Sequence, residues 1–194
     1  IIKTHKAFSN QILAVTFTNK AAKEMQIRVS KLLRKDATGL PWLGTFHSIS
    51  AKILRKHAEA VSLRSNFTII DQDDQVRLIK NICKAENIDI KKISPKYILA
   101  IIDKWKNKGL YPDDVILKKK DILEKNFLNI YKIYQQKLID LNSSDFSDLI
   151  LHTLKIFSNF KDISSIYSRK FKYILVDEYQ DTNFIQSEWL KCLA

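Results

Sequence analysis

Three short apolar runs, each followed at once by a helical pattern, constrain this 194-residue chain more than any other feature. The first, "QILAVTF" at 11–17, is rich in β-formers and bounded by polar residues, the pattern of a buried parallel strand. Thr18 is placed to cap a helix behind it, with Ala22, Met25, Val29, Leu32 and Leu33 on one face. The second run, "LGTF" at 43–46, leads into a helix striped by Ile49, Ile53, Leu54 and Val61. Strand, helix, strand, helix predicts an α/β unit with a parallel sheet. The third run lies at 173–177 within "FKYILVDEYQDTN" (171–183) and ends on two carboxylates, Asp177 and Glu178, with Asp181 beyond. A helix is expected to follow, with Thr182 as its cap.

Between the second and third runs the pattern changes. After a brief β-like stretch at 67–70, helical periodicity continues for about a hundred residues. Asp71 and Ser94 are placed as helix caps, Pro95 at a first helical position and Gly109 as a stop. Apolar stripes run through Val76, Ile79 and Cys83, then through Ile98, Ile101, Ile102 and Trp105. A longer seam comprises Leu123, Phe127, Ile130, Tyr131, Tyr134, Leu138 and Leu141, and a last helix is expected from Asp145. The chain therefore reads as an α/β sheet interrupted by a helical insertion and then resumed. With only three Gly and three Pro, long helices fit better than a turn-dense β-sandwich.

The longest apolar run, 97–102, is too short to span a bilayer, so a soluble, cytoplasmic protein with no membrane association is expected. Cys83 and Cys192 lack metal-ligand spacing and are expected as reduced thiols. The chain opens on Ile1 and closes on an unfinished helical pattern at 187–194, as a fragment would. Charge is uneven: residues 1–60 hold eleven Lys/Arg against three Asp/Glu, and 91–120 hold nine against three. The last twenty-four residues hold two against four. Two basic blocks and an acidic tip suit a polyanion bound away from the carboxylates, although lysine-rich helix faces are also ordinary solvated surface.

The acidic tip has a chemistry of its own. Ligands of parallel α/β sheets sit beyond the carboxyl ends of the strands. There Asp177 can hold Mg²⁺ against a nucleotide phosphate while Glu178 orients and deprotonates an attacking water. Alone, four apolar residues followed by Asp-Glu also describe a strand leaving the core. Phe17 closes its strand beside Thr16, Thr18, Asn19 and Lys20, an aromatic face among donors and a cation, as single-stranded nucleic acid is bound. The alternatives are a core role for Phe17, a cap for Thr18 and plain first-turn surface for Asn19 and Lys20. His47 has no metal-ligand spacing around it, which excludes zinc.

"VDEYQDTN" at 176–183, "LAVTFTNKAAKEM" at 13–25 and "GTFHSISAKILR" at 44–55, in this order, resemble the UvrD/Rep/PcrA-type superfamily 1 DNA helicases. Weaker similarities at 67–75 ("FTIIDQDDQ") and 143–150 ("SSDFSDLI") extend the resemblance over the whole chain. It implies an ATP-driven, Mg²⁺-dependent motor moving 3′ to 5′ on single-stranded DNA, unwinding duplexes and acting at junction DNA, as in DNA repair. The implied fold is a RecA-like P-loop NTPase sheet, domain 1A (1–70 and 165–194), interrupted by an all-helical domain 1B (71–164). By the same resemblance Asp177 holds the cofactor's metal, Glu178 is the catalytic base and Gln180 couples nucleotide state to DNA. Phe17, Thr18, Asn19 and Lys20, with Thr45 and His47, fall on the DNA. Lys104, Lys106 and Lys108 around Trp105 are expected as a duplex-facing patch, with plain solvated surface the alternative for some of them.

Two departures stand out. No Gly-rich loop with Lys and Ser/Thr is present, so the 194 residues alone are expected to hydrolyse no ATP. Ser147 occupies a position usually acidic in relatives, which leaves Asp145 and Asp148 as helix-start carboxylates without an assigned role. A helicase subunit of a recombination nuclease complex shares these motifs, and a non-catalytic basic DNA-binding module shares the charge pattern.

Overall fold

The computed structural model describes residues 1–33, 39–88, 93–117 and 122–194. Its elements run β1 (Ile12–Thr16), α1 (Asn19–Leu33), β2 (Leu43–Thr45), α2 (Phe46–Lys56), β3 (Thr68–Ile69), α3 (Gln72–Ala85) and α4 (Pro95–Lys106), then α5 (Ile122–Asp140), β4 (Ser143–Ser144), α6 (Phe146–Asn159), α7 (Lys161–Lys170), β5 (Tyr173–Val176) and α8 (Phe184–Lys191). They form two compact units, a sheet unit of Ile1–Leu54 with Thr153–Ala194 and a helical unit of Arg55–His152. No described helix is long and apolar enough to cross a membrane.

The sheet unit is built on three parallel strands in the order β2-β1-β5. All five residues of β1 are buried, as a central strand covered on both faces requires. Ala14, Ala22 and Leu43 share one small buried cluster flanked by Met25, Val29 and Leu40, so the two alanines let α1 approach the sheet closely. Thr18 caps that helix as expected, its Oγ1 accepting from the Ala21 N–H at 3.1 Å. Leu32, expected on the buried stripe, is exposed instead. A run of ring contacts passes from Phe46 to Trp189, on to Phe157 and Tyr167, and from there to Trp42 and Phe171, with centroids 5.2–6.1 Å apart. Burying each such ring stabilises the fold by about 1.5–3 kcal/mol.

β5 departs from its expectation. Read as a buried strand, it has β1 as its one described neighbour, and Leu175 is 48% exposed. Its apolar composition reports a sheet position, but the strand lies at the edge of the described sheet.

In the helical unit α3, α4 and α5 close around Ile79, Ile82, Cys83, Ile98, Ile102, Phe127, Ile130, Tyr131, Tyr134 and Leu138. The caps at Asp71 and Ser94 form as read, each side chain accepting a backbone N–H three residues on. Leu123 and Leu141, at the ends of the expected seam, are exposed. Among its described residues the stretch 71–164, expected to be all helical, contains one strand: β4 pairs in parallel with β3. Asn142, in the left-handed region at φ 46°, turns the chain out of α5; its Oδ1 accepts the Arg64 N–H at 2.7 Å and its carbonyl accepts the Thr68 N–H.

The largest correction concerns Lys106. Expected on a duplex-facing patch, it is completely buried, and its Nζ lies 2.6 Å from Asp145 and 2.8 Å from Asp148. Helical periodicity carries the reason: Ile98, Ile102 and Lys106 repeat every four residues, so Lys106 extends the buried face of α4. Trp105 stacks on Tyr131, while Lys104 and Lys108 stay exposed.

Candidate nucleotide and nucleic-acid site

The strand register decides which side chains meet. Thr16 of β1 stands opposite Thr45 of β2, and Val15 opposite Val176 of β5, so all three strands finish at one edge. The residues that follow them (Phe17, Phe46 and Asp177) emerge together there, at the carboxyl ends where parallel sheets bind ligands.

Asp177 is held at this edge from both its backbone and its side chain. Its N–H donates to the Val15 carbonyl at 3.0 Å, extending the strand pairing by one residue. Its Oδ2 accepts from Thr16 Oγ1 at 3.3 Å, and the side chain remains half-buried. The sequence set Thr16 among the donors beside Phe17 but not against Asp177; the signal available for that was a lone hydroxyl closing an otherwise apolar strand. Glu178 follows in the left-handed region, φ 49° and ψ 49°, an uncommon conformation for a residue with a Cβ. Such geometry costs on the order of 1–3 kcal/mol and concentrates at functional sites. It swings the Glu178 side chain into solvent, where the amide of Gln180 donates to Oε2. Asp181 is exposed one residue further on.

The helix after the acidic turn starts one residue later than expected. Residues 179–181 form a 3₁₀ turn, and Thr182 Oγ1 donates back to the Tyr179 carbonyl at 2.8 Å. Asn183 caps α8 instead, in a reciprocal box with Gln186 at 3.0 Å each way.

At the mouth of β1, Phe17 is half-buried, its ring centroid 5.6 Å from Phe46, which in turn packs on Trp189. One face of the ring belongs to the core and the rest reaches the edge. Thr18, Asn19 and Lys20 are exposed at the N-terminus of α1. At the mouth of β2, Thr45 Oγ1 accepts the Ser48 N–H at 3.2 Å while Ser48 Oγ donates to the Thr45 carbonyl at 3.0 Å, which pins the first turn of α2. Thr45 itself is buried, so its hydroxyl serves this turn. His47 projects half-buried, and burial holds its imidazole below the ordinary value, favouring a neutral ring.

One edge thus carries a metal-competent carboxylate, a second carboxylate free to reach water, an aromatic face, two exposed polar residues with a lysine, and a neutral histidine. Among the described residues no three His, Cys, Asp or Glu side chains converge as a metal cage.

Across its full length, residues 1–194, the chain matches the model of the UvrD/REP helicase N-terminal domain. It is 44% identical over 198 residues to the DNA helicase II of Rickettsia typhi, covering 100% of this chain and 30% of that protein. It is 43% identical over 183 residues to the ATP-dependent DNA helicase PcrA of Staphylococcus epidermidis, covering 94% of this chain and 25% of that one. The PcrA of Staphylococcus aureus is 42% identical over the same share. The chain therefore spans between a quarter and a third of the length of these relatives, and it belongs to the UvrD/REP helicase N-terminal domain family.

Proposed function

We propose that this chain is the nucleotide- and DNA-contacting portion of an ATP-dependent DNA helicase that moves 3′ to 5′ along single-stranded DNA and opens duplex and junction DNA. The sheet unit, Ile1–Leu54 with Thr153–Ala194, is the counterpart of domain 1A, expected at 1–70 and 165–194, and the helical unit, Arg55–His152, that of domain 1B, expected at 71–164; residues 55–70 and 153–164 fall in the other unit from the one expected. The observation that carries this reading is the common edge of three parallel strands, which gathers Asp177, Glu178, Phe17 and the Thr45–His47 turn. A solvated basic surface module would have no need of a strained, exposed glutamate beside a tethered aspartate.

Asp177, oriented by the hydroxyl of Thr16, suits Mg²⁺ bound through a nucleotide phosphate, since a carboxylate at a half-open position is what that ion takes. When bound, the metal supplies charge neutralisation at the transferred phosphate. Glu178, presented to solvent by its left-handed backbone, accepts the proton of the attacking water. Gln180 touches that carboxylate and is placed to register whether it is engaged. Phe17 offers a stacking face to a base, Thr18, Asn19 and Lys20 meet the backbone at a helix N-terminus, and Thr45 orders the turn that presents His47 to the strand. The pattern of 33 Lys/Arg against 21 Asp/Glu, a net +12, supports polyanion binding. Without a Gly-rich phosphate loop the 194 residues alone hydrolyse no ATP.

Glu178→Gln in the intact protein tests the assignment. ATP hydrolysis should fall at least a hundredfold while affinity for single-stranded DNA is kept, about the loss expected when a positioned base is removed. Unchanged hydrolysis would remove Glu178 from the chemistry.

A further inference from the structure

The polar core of the helical unit is not used by the proposed chemistry. Lys106, near the end of α4, is fully buried between Asp145, which joins β4 to α6, and Asp148 in the first turn of α6. Asp145 is saturated with donors: Oδ2 accepts from Lys106 at 2.6 Å and from the Tyr134 hydroxyl at 2.9 Å, and Oδ1 accepts the Asp148 N–H at 2.9 Å. Asp148 is not. Its Oδ1 accepts from Lys106 and from Gln135 Nε2 at 3.1 Å, but its Oδ2 is buried without a partner, as is Gln135 Oε1. Two carboxylates thus face one ammonium in a fully buried place, where burial disfavours a second uncompensated negative charge.

Among the surrounding groups, His152 of α6 also acts on Asp148 and favours its charged form. From α4, Asp103 adds another carboxylate, occupied by the Ser147 hydroxyl at 3.0 Å. From α5, Tyr131 and Tyr134 present their rings 5.7 and 5.0 Å from the Lys106 ammonium, and burial raises both phenols well out of reach of ionisation. Ahead of the 112–114 turn, Tyr111 shares a 2.5 Å hydrogen bond with Nδ1 of His152, one helical turn beyond Asp148 on α6, and Asp114 accepts the Tyr111 N–H.

We propose that this cluster is a proton-linked lock: the Asp145–Asp148 pair, two buried carboxylates on one ammonium, takes up one proton between them, and the neutralised core then holds α4, α5 and α6 together more firmly. Burial, then the neighbouring Asp148 charge, push the Asp145 carboxyl up to about 6, whereas Asp148, although burial works against its charge, is held below its ordinary value by Lys106 and then His152; because the acids share Lys106 the step belongs to the pair. A folded value above the unfolded one means that the stabilisation is complete below about pH 4. It is lost as pH rises through about 6. The helical unit is accordingly firmest in mild acid and loosens toward neutrality.

The test is urea denaturation of the chain between pH 4 and 7.5, wild type against Asp148→Asn, which fixes the neutral state of the pair. The ratio of wild-type to variant unfolding constants should grow about tenfold per pH unit between about 4 and 6, then level off. A ratio independent of pH overturns the proposal. Carboxyl ¹³C NMR of the wild type gives a reading that needs no variant: the Asp145 and Asp148 resonances should move together in one step near pH 6. Ionisation of both below pH 4 overturns it equally. In Lys106→Met, where the opposing ammonium is gone, the same step should move to higher pH; an unmoved step also counts against the lock.

Discussion

Gly44 of β2 is where packing and the candidate site meet most closely. Its backbone lies outside the left-handed region, so an alanine there carries no conformational penalty. The obstacle is space: an added Cβ would overlap Ser48 Oγ and lie 3.4 Å from Ile49 Cδ1 and 3.6 Å from Ile49 Cγ1. Ser48 can escape by rotating, but it then gives up its bond to the Thr45 carbonyl, worth about 0.5–1.5 kcal/mol. The Ile49 distances are ordinary van der Waals contact, so the shift forced at Ser48 carries the cost, about 1–3 kcal/mol in all. Against this, Gly→Ala at a permitted backbone position gains about 0.4–1 kcal/mol through the unfolded chain. The overlap wins, and Gly44→Ala should be destabilised by about 1–2 kcal/mol net, a fall in Tm of about 2–8 °C for a chain of this size. Ser48→Ala removes the overlapping atom and its bond together. In that background the sign should reverse, leaving Gly44→Ala neutral or slightly stabilising. Urea denaturation followed by the fluorescence of Trp42 and Trp189, with Trp105→Phe to silence the helical unit, reads the sheet unit alone. If Gly44→Ala costs the same with and without Ser48 Oγ, the close contact is not the cause and the reasoning fails.

Phe17→Ala should weaken single-strand binding by about 1–3 kcal/mol, roughly five- to 150-fold, in a fluorescence anisotropy titration at fixed salt. Ser147→Asp sets a carboxylate against Asp103 in place of a donor and should destabilise the helical unit by about 1–3 kcal/mol in urea denaturation; Asp103→Asn should recover most of the loss. His47 is held below its ordinary value by burial, so the unfolded chain gains its proton first as pH falls. The sheet unit should therefore lose stability below about pH 6.5, and His47→Gln should flatten that slope in chemical denaturation from pH 5 to 7.5.

The acidic pair in the helical unit and His47 in the sheet unit respond to pH in opposite senses, and they differed equally in how far the sequence revealed them. His47, Phe17 and the Asp177–Glu178 pair lie at the ends of apolar runs, and β1 and β2 read as strands because their β-formers are bounded by polar residues. Once three parallel strands were expected, their tips were expected together. The left-handed backbone at Glu178 carried no such mark, since glutamate has no preference for it and only the strand end behind it and the 3₁₀ turn ahead impose it. That same turn occupies residues 179–181, which moved the helix cap from Thr182 to Asn183.

β4 and Lys106 were hidden for a different reason. Ser143 and Ser144 have no β-preference; they form a strand because the Thr68 N–H finds the carbonyl of Asn142 and the Ile70 N–H that of Ser144. Lys106 reads as surface because a lysine usually is, and what buries it stands 39 residues away at Asp145. Periodicity did record that Lys106 continues the Ile98–Ile102 face, but hydrophobic patterning alone assigns a charge on such a face to solvent. The sharper rule is conditional: a cation in register with a helix's apolar stripe predicts burial when the chain also supplies closely spaced carboxylates at a helix start. Here "SDFSD" at 144–148 supplied Asp145 and Asp148 three residues apart, the spacing that lets one residue cap the helix and both close on the same ammonium.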